Sequence, residues 1–568
     1  MAEEVLENAG GYVSKLVFNN GESVDIKQDD IVLFVGPNNS GKSQSLKDIY
    51  ALSLSEAKRV VISAAEFSKY PGSVTELLKR VSVEVEHGSQ TGYHYFNGLM
   101  YVDLNTDEWY INQYPNHQGF RDLFVANLDT EKRLSTCTPP NTITRNAVKQ
   151  HPIHYAAFDS DYRKWLSTNF KKAFGVEITP NILNGATIPL CIGQPVKLDT
   201  VEYDDEQSRQ EAYAEVLDTY PQVQNQGDGI KSFTGILLYL MLNYYCTFLI
   251  DEPESFLHPP QARIMGQIIG ESLSDHQQAF ISTHSEDIIK GLMETCPERL
   301  KIIRITRDGN TNFFSVLDNE KFNEVWGDPL LKHSNIMSSL FHKTVVLCES
   351  DADCQMYSIM ENHIKQKQGK YSEALFIHCG GKHRMAKVIT ALKSLNVDVR
   401  VVPDLDALNN EGVFKGIVEA CGIDWEAIQR DYRTIVSQVE SYTREPINRF
   451  VAKAAINAVL DKASEAILTA SDIKEITGII KMPSKWEEIK HNGISAFPAG
   501  DARSAFGRLD SIAKNNGIYL VPAGELECFI KEVGGHGPAW VNNVLEKYHD
   551  FDDPVFNTIK DFVASLDL

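Results

Sequence analysis

The pattern of apolar and polar positions in the first part of the chain predicts strands and helices in succession. Apolar runs over Tyr12–Phe18 and Ile31–Val35 have the length of strands and are separated by turn-forming residues. A helical period follows over Ser43–Leu54. Between Val81 and Asn112 the period is two, which predicts several antiparallel strands. Residues 120 to 230 mix amphipathic helices with polar loops.

Two later stretches repeat a strand–helix–strand order that is typical of parallel sheets. In the first, an apolar helix precedes strands over Thr247–Ile250 and Gln278–Ser282. The second begins at Lys343, and its predicted strands and helices are Thr344–Cys348, 352–367, Leu375–His378, 383–394 and Val399–Val402. A helical, charged stretch covers about 411 to 490, and a last strand is predicted over Gly517–Val521. Folds of this α/β class bind their ligands at the carboxyl ends of the strands.

The composition is that of a globular protein with an excess of acidic residues. Of the 568 residues 43% are hydrophobic and 23% are charged, which excludes disordered, collagenous and coiled-coil chains. Length alone predicts about three domains. The formal net charge is −22. This charge argues against a uniformly basic surface for nucleic acid, but it permits a local basic channel or carboxylate clusters that bind divalent metal.

The cysteines and the apolar runs indicate where the protein works. Nine cysteines are dispersed from Cys137 to Cys528 without a CxxC pair, which predicts reduced thiols in a cytosolic chain. The acidic N-terminal stretch lacks the apolar core of a signal peptide. The longest apolar run, Gly235–Ile250, falls short of the ~20 residues that a membrane span needs. We therefore expect a cytoplasmic protein with no membrane partner.

A glycine-rich loop between a strand and a helix predicts a nucleotide site. Residues 36–43 read GPNNSGKS and match GxxxxGK[ST], directly after the strand Ile31–Val35. The backbone N–H groups of such a loop hold phosphates, and the helix N-terminus adds partial positive charge. Lys42 is expected to reach the β- and γ-phosphates of ATP, and Ser43 to bind Mg²⁺. The residues assigned to ATP by this motif are Gly36, Asn38, Asn39, Ser40, Gly41, Lys42 and Ser43.

Two further strand ends carry residues that fit the same chemistry. The apolar strand before Asp251 and Glu252 has the pattern of a Walker B motif. Asp251 would hold Mg²⁺ and also belong to the ATP site, and Glu252 would orient or deprotonate the attacking water. The next strand ends near His284, which we interpret as a sensor of the γ-phosphate.

The second half of the chain predicts a metal site built from strand-end carboxylates. Glu349 ends the strand Thr344–Cys348, and Asp404 and Asp406 follow the strand Val399–Val402. Neighbouring parallel strands would bring these three carboxylates together. Like charges at that spacing repel one another unless a divalent cation neutralises them.

The first group of motifs, with DEPESFLHP over 251–259, resembles the ABC-type ATPase head of SMC, RecF and OLD-family proteins. In such heads two copies sandwich ATP, which implies a homodimer or a higher homo-oligomer. The resemblance also implies a signature loop, for which residues 225–232 (NQGDGIKS) are the candidate, with Gly229 and Ser232 at ATP. This segment departs from the usual Ser-Gly-Gly pattern, and no glutamine is assigned to the Q-loop.

The second group looks like a Toprim domain, the Mg²⁺-dependent fold of topoisomerases, bacterial primases and OLD nucleases. The resemblance implies that Glu349, Asp404 and Asp406 are catalytic and bind Mg²⁺ or Mn²⁺. The OLD form has an acidic residue four after the first Glu, matched by Asp353, and a Gly-x-Leu-Glu element, matched by 524–527. These matches imply further metal ligands, Asp353 and Glu527.

Other residues near these carboxylates have more open assignments. Glu525 is interpreted as a solvated neighbour of Glu527. A late lysine that OLD nucleases use is matched equally by Lys531 and Lys547. The basic stretch Lys382, His383 and Arg384 either contacts DNA phosphate or caps a helix, with equal weight.

The order of the two resemblances is that of the OLD family. It implies an ABC-type P-loop ATPase domain over 1–341, with an inserted helical or dimerisation segment at about 120–225. A Toprim domain of Rossmann-like fold follows over 342–568, with a helical insertion at about 411–490. The family implies an ATP-regulated, metal-dependent DNA endonuclease in bacterial anti-phage defence, alone or beside a helicase-like protein or a retron reverse transcriptase with its DNA.

Two alternatives stay open from the sequence. One is a DNA-binding ATPase scaffold with a non-cleaving Toprim half. The other is a nuclease whose ATPase half only senses nucleotide depletion.

Overall fold

The chain forms two compact units, Met1–Asn323 and Glu324–Leu568. The computed structural model describes residues 9–51, 59–87, 90–96, 100–103, 118–147, 149–194, 205–317, 336–441, 448–462, 467–480 and 484–568. The boundary expected at 341/342 falls inside the second unit. Over the described ranges, no helix has both the length and the hydropathy that a bilayer crossing requires.

The first unit is built on a six-stranded sheet. The strands of this unit are β1 (Gly11–Phe18), β2 (Ser23–Asp25), β3 (Ile31–Val35), β4 (Ile62–Lys69), β5 (Val83–His87), β6 (Gln90–Phe96), β7 (Met100–Asp103), β8 (Val125–Leu128), β9 (Glu177–Pro180), β10 (Leu190–Gly193), β11 (Thr247–Asp251), β12 (Gln278–Ser282), β13 (Leu300–Asp308) and β14 (Thr311–Val316). The six-stranded sheet has the order β14-β13-β3-β12-β11-β8, and only the pair β13–β14 is antiparallel. The carboxyl ends of β3, β12, β11 and β8 therefore share one edge. The strands β3, β11 and β12 were predicted from sequence, and β8 was not.

The helices of this unit cover the sheet and extend beyond it. They are α1 (Lys42–Ala51), α2 (Val74–Val81), α3 (Gln118–Phe124), α4 (Thr130–Ser135), α5 (Pro152–Phe158), α6 (Ser160–Phe174), α7 (Glu206–Asp218), α8 (Asp228–Leu240), α9 (Pro259–Ser272) and α10 (Glu286–Thr295). All residues of β3 and β12 are buried. Strands buried on both faces read as continuous apolar runs, which is why sequence located these two correctly.

Smaller antiparallel sheets complete the unit. They have the orders β2-β1-β4, β5-β6-β7 and β10-β9. The sheet β5-β6-β7 confirms the antiparallel strands predicted after Val81, and residues 104–112 of that prediction lie outside the described residues. The helix predicted up to Leu54 is described only to Ala51.

The second unit is centred on a three-stranded parallel sheet in the order β16-β15-β17. Its strands are β15 (Thr344–Cys348), β16 (Ala374–His378) and β17 (Asp398–Val402). Its helices are α11 (Asp351–Lys367), α12 (Met385–Ser394), α13 (Glu411–Ala420), α14 (Trp425–Glu440), α15 (Arg449–Leu460), α16 (Ala470–Ile480), α17 (Lys485–Asn492), α18 (Asp501–Asn515), α19 (Pro538–Lys547) and α20 (Asn557–Ala564). Strand β15 is fully buried in a core that includes the completely buried Trp540. Together the two units confirm the predicted α/β class.

The strand predicted over Gly517–Val521 is not a regular strand. Ile518 makes a single parallel bridge to Val401, and the Val401 N–H donates to the Gly517 carbonyl at 2.7 Å. Gly517 has φ of +83°, and a Cβ there would lie 2.8 Å from the Val399 oxygen. This segment follows β17 closely, and the Leu405 N–H then donates to the Gly524 carbonyl at 3.0 Å. The Gly-x-Leu-Glu element is thereby held beside the carboxyl end of β17.

Candidate functional site

The loop between β3 and α1 has the backbone of a phosphate-binding loop. Gly36 and Gly41 have φ of +143° and +103°, and Asn39 has φ of +58°. A Cβ at Gly36 would lie 2.1 Å from the Ile305 carbonyl oxygen, so only glycine fits there. The Ser40 hydroxyl is buried and has no hydrogen-bond partner among the described residues. A buried hydroxyl of this kind fits a loop that is completed by an oxygen of its ligand.

Lys42 is held within this loop. Its Nζ donates to the carbonyl oxygens of Gly36 and Pro37 at 2.9 and 2.8 Å. Burial lowers the pKa of Lys42 to about 8, although Glu252 and other carboxylates at the end of β11 oppose the shift. A buried ammonium among peptide carbonyls is stabilised further by an anion, so the arrangement fits nucleotide phosphates.

The end of β11 carries the two carboxylates assigned to Mg²⁺ and water. The Ser282 hydroxyl donates to Asp251 Oδ1 from the neighbouring strand. Glu252 has φ of +47°, and its N–H donates to the Ser282 carbonyl at 3.0 Å. A non-glycine residue in this conformation stores strain that the surrounding hydrogen bonds must offset.

His284 lies beside Glu252, and its role as a sensor of the γ-phosphate stays a prediction. Its Nε2 is 3.8 Å from Glu252 Oε1. Burial and the charge of Lys42 lower the pKa of His284, so the ring is neutral near pH 7. The His284 N–H donates to Glu254 Oε1 at 2.7 Å, and the Thr283 hydroxyl donates to the same oxygen at 2.9 Å. Glu254, to which the sequence analysis gave no role, thus fixes the loop that carries His284.

Arg133 is a residue of this site that sequence reasoning missed. Its side chain is completely buried, and it donates to the main-chain oxygens of Leu128, Asp251 and Glu252. Its Nε also donates to the Ser232 hydroxyl at 3.0 Å. Nothing in the local pattern of α4 distinguishes Arg133 from the solvated Lys132 before it.

The signature assignment is wrong for Ser232. This side chain is completely buried and holds Arg133, so it is not available to a nucleotide of a second copy. The cause is the start of α8 at Asp228, which places Ser232 in the second turn, facing the core. Gly229 lies in the first turn, and a Cβ there would meet the Phe256 carbonyl oxygen at 2.5 Å. Close packing against Phe256 therefore explains why glycine occupies position 229. The contact of Gly229 with ATP stays a prediction.

The three predicted carboxylates of the second unit do come together. Each of Glu349, Asp404 and Asp406 offers an oxygen, and these oxygens all lie within 4.8 Å of one another. The Asp404 N–H donates to Glu349 Oε1 at 3.2 Å. The neighbouring parallel strands β15 and β17 produce this cluster, since Glu349 and Asp404 follow their ends.

The electrostatics of the cluster fit a divalent cation. Desolvation and the charge of Asp406 raise the pKa of Glu349 to about 7. Desolvation and the charge of Glu349 raise the pKa of Asp404 well above its usual range. Carboxylates that repel one another in this way, with oxygen donors only, are suited to Mg²⁺ or Mn²⁺.

Two lysines lie against this cluster. Lys382 Nζ is 2.8 Å from Asp406 Oδ1. Lys490 Nζ is 3.6 Å from Asp406 Oδ2 and 3.3 Å from Glu525 Oε2. Burial disfavours the charge of Lys490, but Asp406, Glu525 and Asp404 outweigh it and raise the pKa of this lysine. Lys490 was not among the predicted residues, because it lies in a helix far from the motifs in sequence.

The two lysines that the OLD resemblance offers as the late nuclease lysine, Lys531 and Lys547, make other contacts. Lys531 Nζ donates to Asn492 Oδ1 at 2.9 Å, and Lys547 Nζ lies 5.0 Å from the ring centre of Tyr548. Neither has a described contact with Glu349, Asp404 or Asp406. His383 and Arg384 are exposed, so their contact with DNA stays a prediction.

The second predicted ligand set is arranged differently from the expectation. Glu527 groups with Glu525 and His536, and each offers a ligand atom within 4.8 Å of the others. His536 Nδ1 lies 2.6 Å from Glu527 Oε1. Asp353 instead caps α11, because its Oδ2 accepts from the Ser350 N–H at 2.9 Å. Desolvation and the charge of Glu527 raise the pKa of Asp353, so the two carboxylates interact electrostatically.

The interpretation of Glu525 as a solvated residue is wrong. Its side chain is buried, is hydrogen-bonded to His491 Nδ1 at 3.0 Å and forms an ion pair with Lys490. The chain from Ile518 to Val521 runs against β17 and turns this segment inward.

Comparison with known proteins supports the Toprim prediction for the second unit. Residues 340–406 match the family model described as overcoming lysogenization defect protein-like, TOPRIM domain. The Old nuclease of Escherichia phage P2 is 23% identical to this chain over 167 residues, which are 28% of this chain and 28% of that protein. The chain thus matches less than a third of the length of this relative. The prediction of an OLD-like Toprim segment is confirmed.

Solved structures similar to the chain include heads of SMC proteins. The SMC head bound to the C-winged helix domain of ScpA is 15% identical, covers 55% of this chain and 99% of its own, and has a TM-score of 0.34. The Smc head with an extended coiled coil, bound to the C-terminal domain of ScpA and derived from Pyrococcus furiosus, is 12% identical, with 56% and 99% covered and a TM-score of 0.31. The SMC head domain from Thermotoga maritima is 16% identical, with 55% and 97% covered and a TM-score of 0.28.

Proposed function

We propose that this chain is a divalent-metal-dependent DNA endonuclease whose P-loop unit binds and hydrolyses ATP and thereby controls cleavage. The observation that carries the proposal is the cluster of Glu349, Asp404 and Asp406 at the strand ends of a Toprim segment. The similarity of part of the chain to the Old nuclease supports the nuclease class.

At the nuclease site the three carboxylates would hold the cation. A bound Mg²⁺ or Mn²⁺ polarises a phosphodiester and lowers the pKa of an attacking water. Lys382 and Lys490 add positive charge beside the cluster, which attracts the phosphate backbone of DNA to an otherwise acidic protein. Asp406 orients both lysines, because each lysine approaches a different one of its oxygens.

At the P-loop, Lys42 and Ser43 would bind the phosphates and the Mg²⁺ of ATP, together with Asp251. Glu252 would orient the attacking water. His284 adjoins Glu252 as a neutral ring, which lets it donate to a phosphate oxygen or accept from water without adding charge. Arg133 holds the main chain of Asp251 and Glu252 in place, which preorganises both carboxylates.

The first experiment is cleavage of supercoiled plasmid by the purified full chain with Mg²⁺ or Mn²⁺, with and without ATP. We expect nicking or linearisation that requires metal, and that Asp404→Ala abolishes without changing ATP hydrolysis. Cleavage by Asp404→Ala at the wild-type rate would overturn the assignment of the metal site.

Hydrolysis is tested separately, since the two units carry separate sites. Lys42→Ala should lose ATP binding, and Glu252→Gln should bind ATP but turn it over at least about 100-fold more slowly. If ATP is bound but never hydrolysed by the wild type, the P-loop unit is a nucleotide sensor. If no condition gives cleavage while ATP is hydrolysed, a DNA-binding scaffold replaces the nuclease.

The biological setting rests on the family resemblance alone. We infer a homodimer or higher homo-oligomer that serves anti-phage defence in the cytoplasm, alone or with a helicase-like protein or a retron reverse transcriptase. Expression of the wild-type chain in a bacterial host should lower phage plating efficiency, and Asp404→Ala should not. Equal plating on both strains would reject a defensive role for the nuclease.

A further inference from the structure

A cavity of about 520 Å³ lies in the first unit, away from the P-loop, in the segment between residues 160 and 220. One wall is a single face of α6, one is the start of β9, and a third carries Tyr213 and Tyr220. Its volume is in the range of cavities that bind small ligands. Neither the P-loop residues nor the strand-end carboxylates contribute to it.

The face of α6 in this cavity is polar and cationic. Ser160, Arg163 and Lys164, Ser167 and Thr168, and Lys171 recur at the three- and four-residue spacing that aligns side chains on one side of a helix. A helix that only packed against the core would present apolar residues at this spacing. The α6 face instead presents hydroxyl groups and positive charges to a cavity that is open to solvent on one side.

Among the described residues that line the cavity, positive charges outnumber negative ones. Lys171 forms an ion pair with Glu177 at 2.8 Å, and Glu177 is the one carboxylate of the lining. Arg163 donates from Nη1 to the Ala157 carbonyl at 3.1 Å. Across the described ranges neither Arg163 nor Lys164 has an ion-pair partner. In a chain with a net charge of −22, two cations on one wall of a cavity that have no ion pair with the described residues favour an anionic ligand.

Two tyrosines, Tyr213 and Tyr220, also line the cavity. The ring of Tyr220 covers Gly193 so closely that a Cβ there would lie 2.2 Å from the ring. The Tyr220 hydroxyl donates to the Gln194 carbonyl at 2.7 Å, which fixes the position of the ring. Tyr213 is a second aromatic lining residue, so the cavity offers flat apolar area as well as the cationic helix face. Phosphate contacts on one side and aromatic rings on the other are the two elements by which proteins hold nucleotides.

We propose that this cavity is a second nucleotide site, in which Arg163 and Lys164 bind the phosphate and the tyrosine wall contacts the base. The same chemistry is presented by a free mononucleotide and by a nucleotide within single-stranded DNA. The proposal is independent of ATP hydrolysis and of DNA cleavage, and its test requires neither activity.

The test uses the full chain with Lys42→Ala, so that the P-loop no longer contributes to binding. A fluorescent ATP analogue is titrated in low salt, and unlabelled ATP, inorganic pyrophosphate and a short oligothymidylate serve as competitors. We expect residual binding of the analogue, which Arg163→Ala with Lys164→Ala weakens at least about tenfold, since both lost contacts are charge-assisted. Competition by ATP alone identifies a free nucleotide as the ligand, whereas competition by the oligothymidylate identifies single-stranded DNA.

Lys172→Ala is the matched control. Lys172 is the neighbour of Lys171 on α6, but it pairs with Glu271 at 2.8 Å and does not line the cavity. Its loss should leave the affinity within about twofold, because it removes a charge from the same helix without removing a cavity contact. Lys164→Ala alone is used if the double variant unfolds, since Lys164 is exposed. Absence of residual binding, or an equal loss in Lys172→Ala and in the cavity variants, would overturn the proposal.

Discussion

The Arg133 guanidinium donates through Nε to the Ser232 hydroxyl, 3.0 Å away, and so joins helix α8 to the end of β11. The same guanidinium donates to the main-chain oxygens of Asp251 and Glu252. Because Glu252 has φ of +47°, its conformation depends on such external bonds. Arg133 therefore holds a strained strand end and the beginning of a buried helix in one arrangement.

Ser232→Ala should destabilise the first unit. It removes one buried hydrogen bond and leaves a donor of Arg133 without a partner, so the free energy of unfolding should fall by about 1–3 kcal/mol. Chemical denaturation of the full chain measures this loss. The control is Ser255→Ala, whose half-buried hydroxyl donates to the Glu252 side chain at 3.2 Å. That variant should lose less than about 1 kcal/mol, and an equal loss in both variants would contradict the role given to Arg133.

Asp404→Asn should stabilise the metal-free protein while it abolishes cleavage. Desolvation and Glu349 raise the pKa of Asp404 well above its usual range, so its ionised form is unfavourable without a cation. A neutral amide relieves this repulsion, and we expect a gain on the order of 1 kcal/mol in the free energy of unfolding. Thermal melting in EDTA and then in Mg²⁺ measures the stability, and plasmid cleavage measures the activity. The prediction is rejected if the variant melts at a lower temperature than the wild type in EDTA, or if Mg²⁺ raises its melting temperature as much as it raises that of the wild type.

The stability of the first unit should fall as the pH is lowered through the range in which histidine titrates. Burial lowers the pKa of His151 to about 4, and its Nδ1 accepts from the Ile153 N–H at 3.2 Å, which requires an unprotonated nitrogen. The folded pKa lies below the unfolded value of about 6.5, so the unfolded state binds more protons between the two. This contribution to stability is fully present well above about pH 6.5 and is lost progressively toward pH 4, by about 3 kcal/mol from this group.

His151→Asn tests this origin, because asparagine keeps the N-cap of α5 but does not titrate. The difference in unfolding free energy between pH 7.5 and pH 5 should be smaller in the variant than in the wild type. A smaller pH dependence of the unfolding free energy should remain in the variant, since burial also lowers the pKa of His154. An unchanged dependence would show that other groups dominate.

Lys490→Ala should reduce DNA cleavage, and Lys531→Ala should not. Lys490 neutralises Asp406 and Glu525 beside the metal cluster, whereas Lys531 bonds to Asn492. We expect a loss of at least about 100-fold in single-turnover cleavage from the first change and less than about threefold from the second. Thermal melting of each variant serves as the measure of intact folding. Equal losses in the two variants would exclude a specific role for Lys490.

Much of the proposed nucleotide site could be predicted from sequence because its geometry is local. The loop at 36–43 and the carboxylates after β11 each follow directly from a buried strand, and buried parallel strands are continuous apolar runs. The same reasoning located Glu349, Asp404 and Asp406. Because the two strands pair in parallel, their carboxyl ends lie side by side. The three carboxylates could therefore be grouped from sequence without the rest of the fold.

The tertiary structure decided which other polar side chains face these sites. Ser232 was assigned to ATP, but the start of α8 turns it into the core, where Arg133 binds it. Glu525 was assigned to solvent, but close packing of the preceding segment on β17 buries it against Lys490. Contacts between residues far apart in sequence depend on how each helix is rotated and how it packs. The local pattern of apolar and polar residues contains neither piece of information. The sequence therefore determined the strand-end motifs, and only the fold decided which distant arginine, lysines and glutamates complete them.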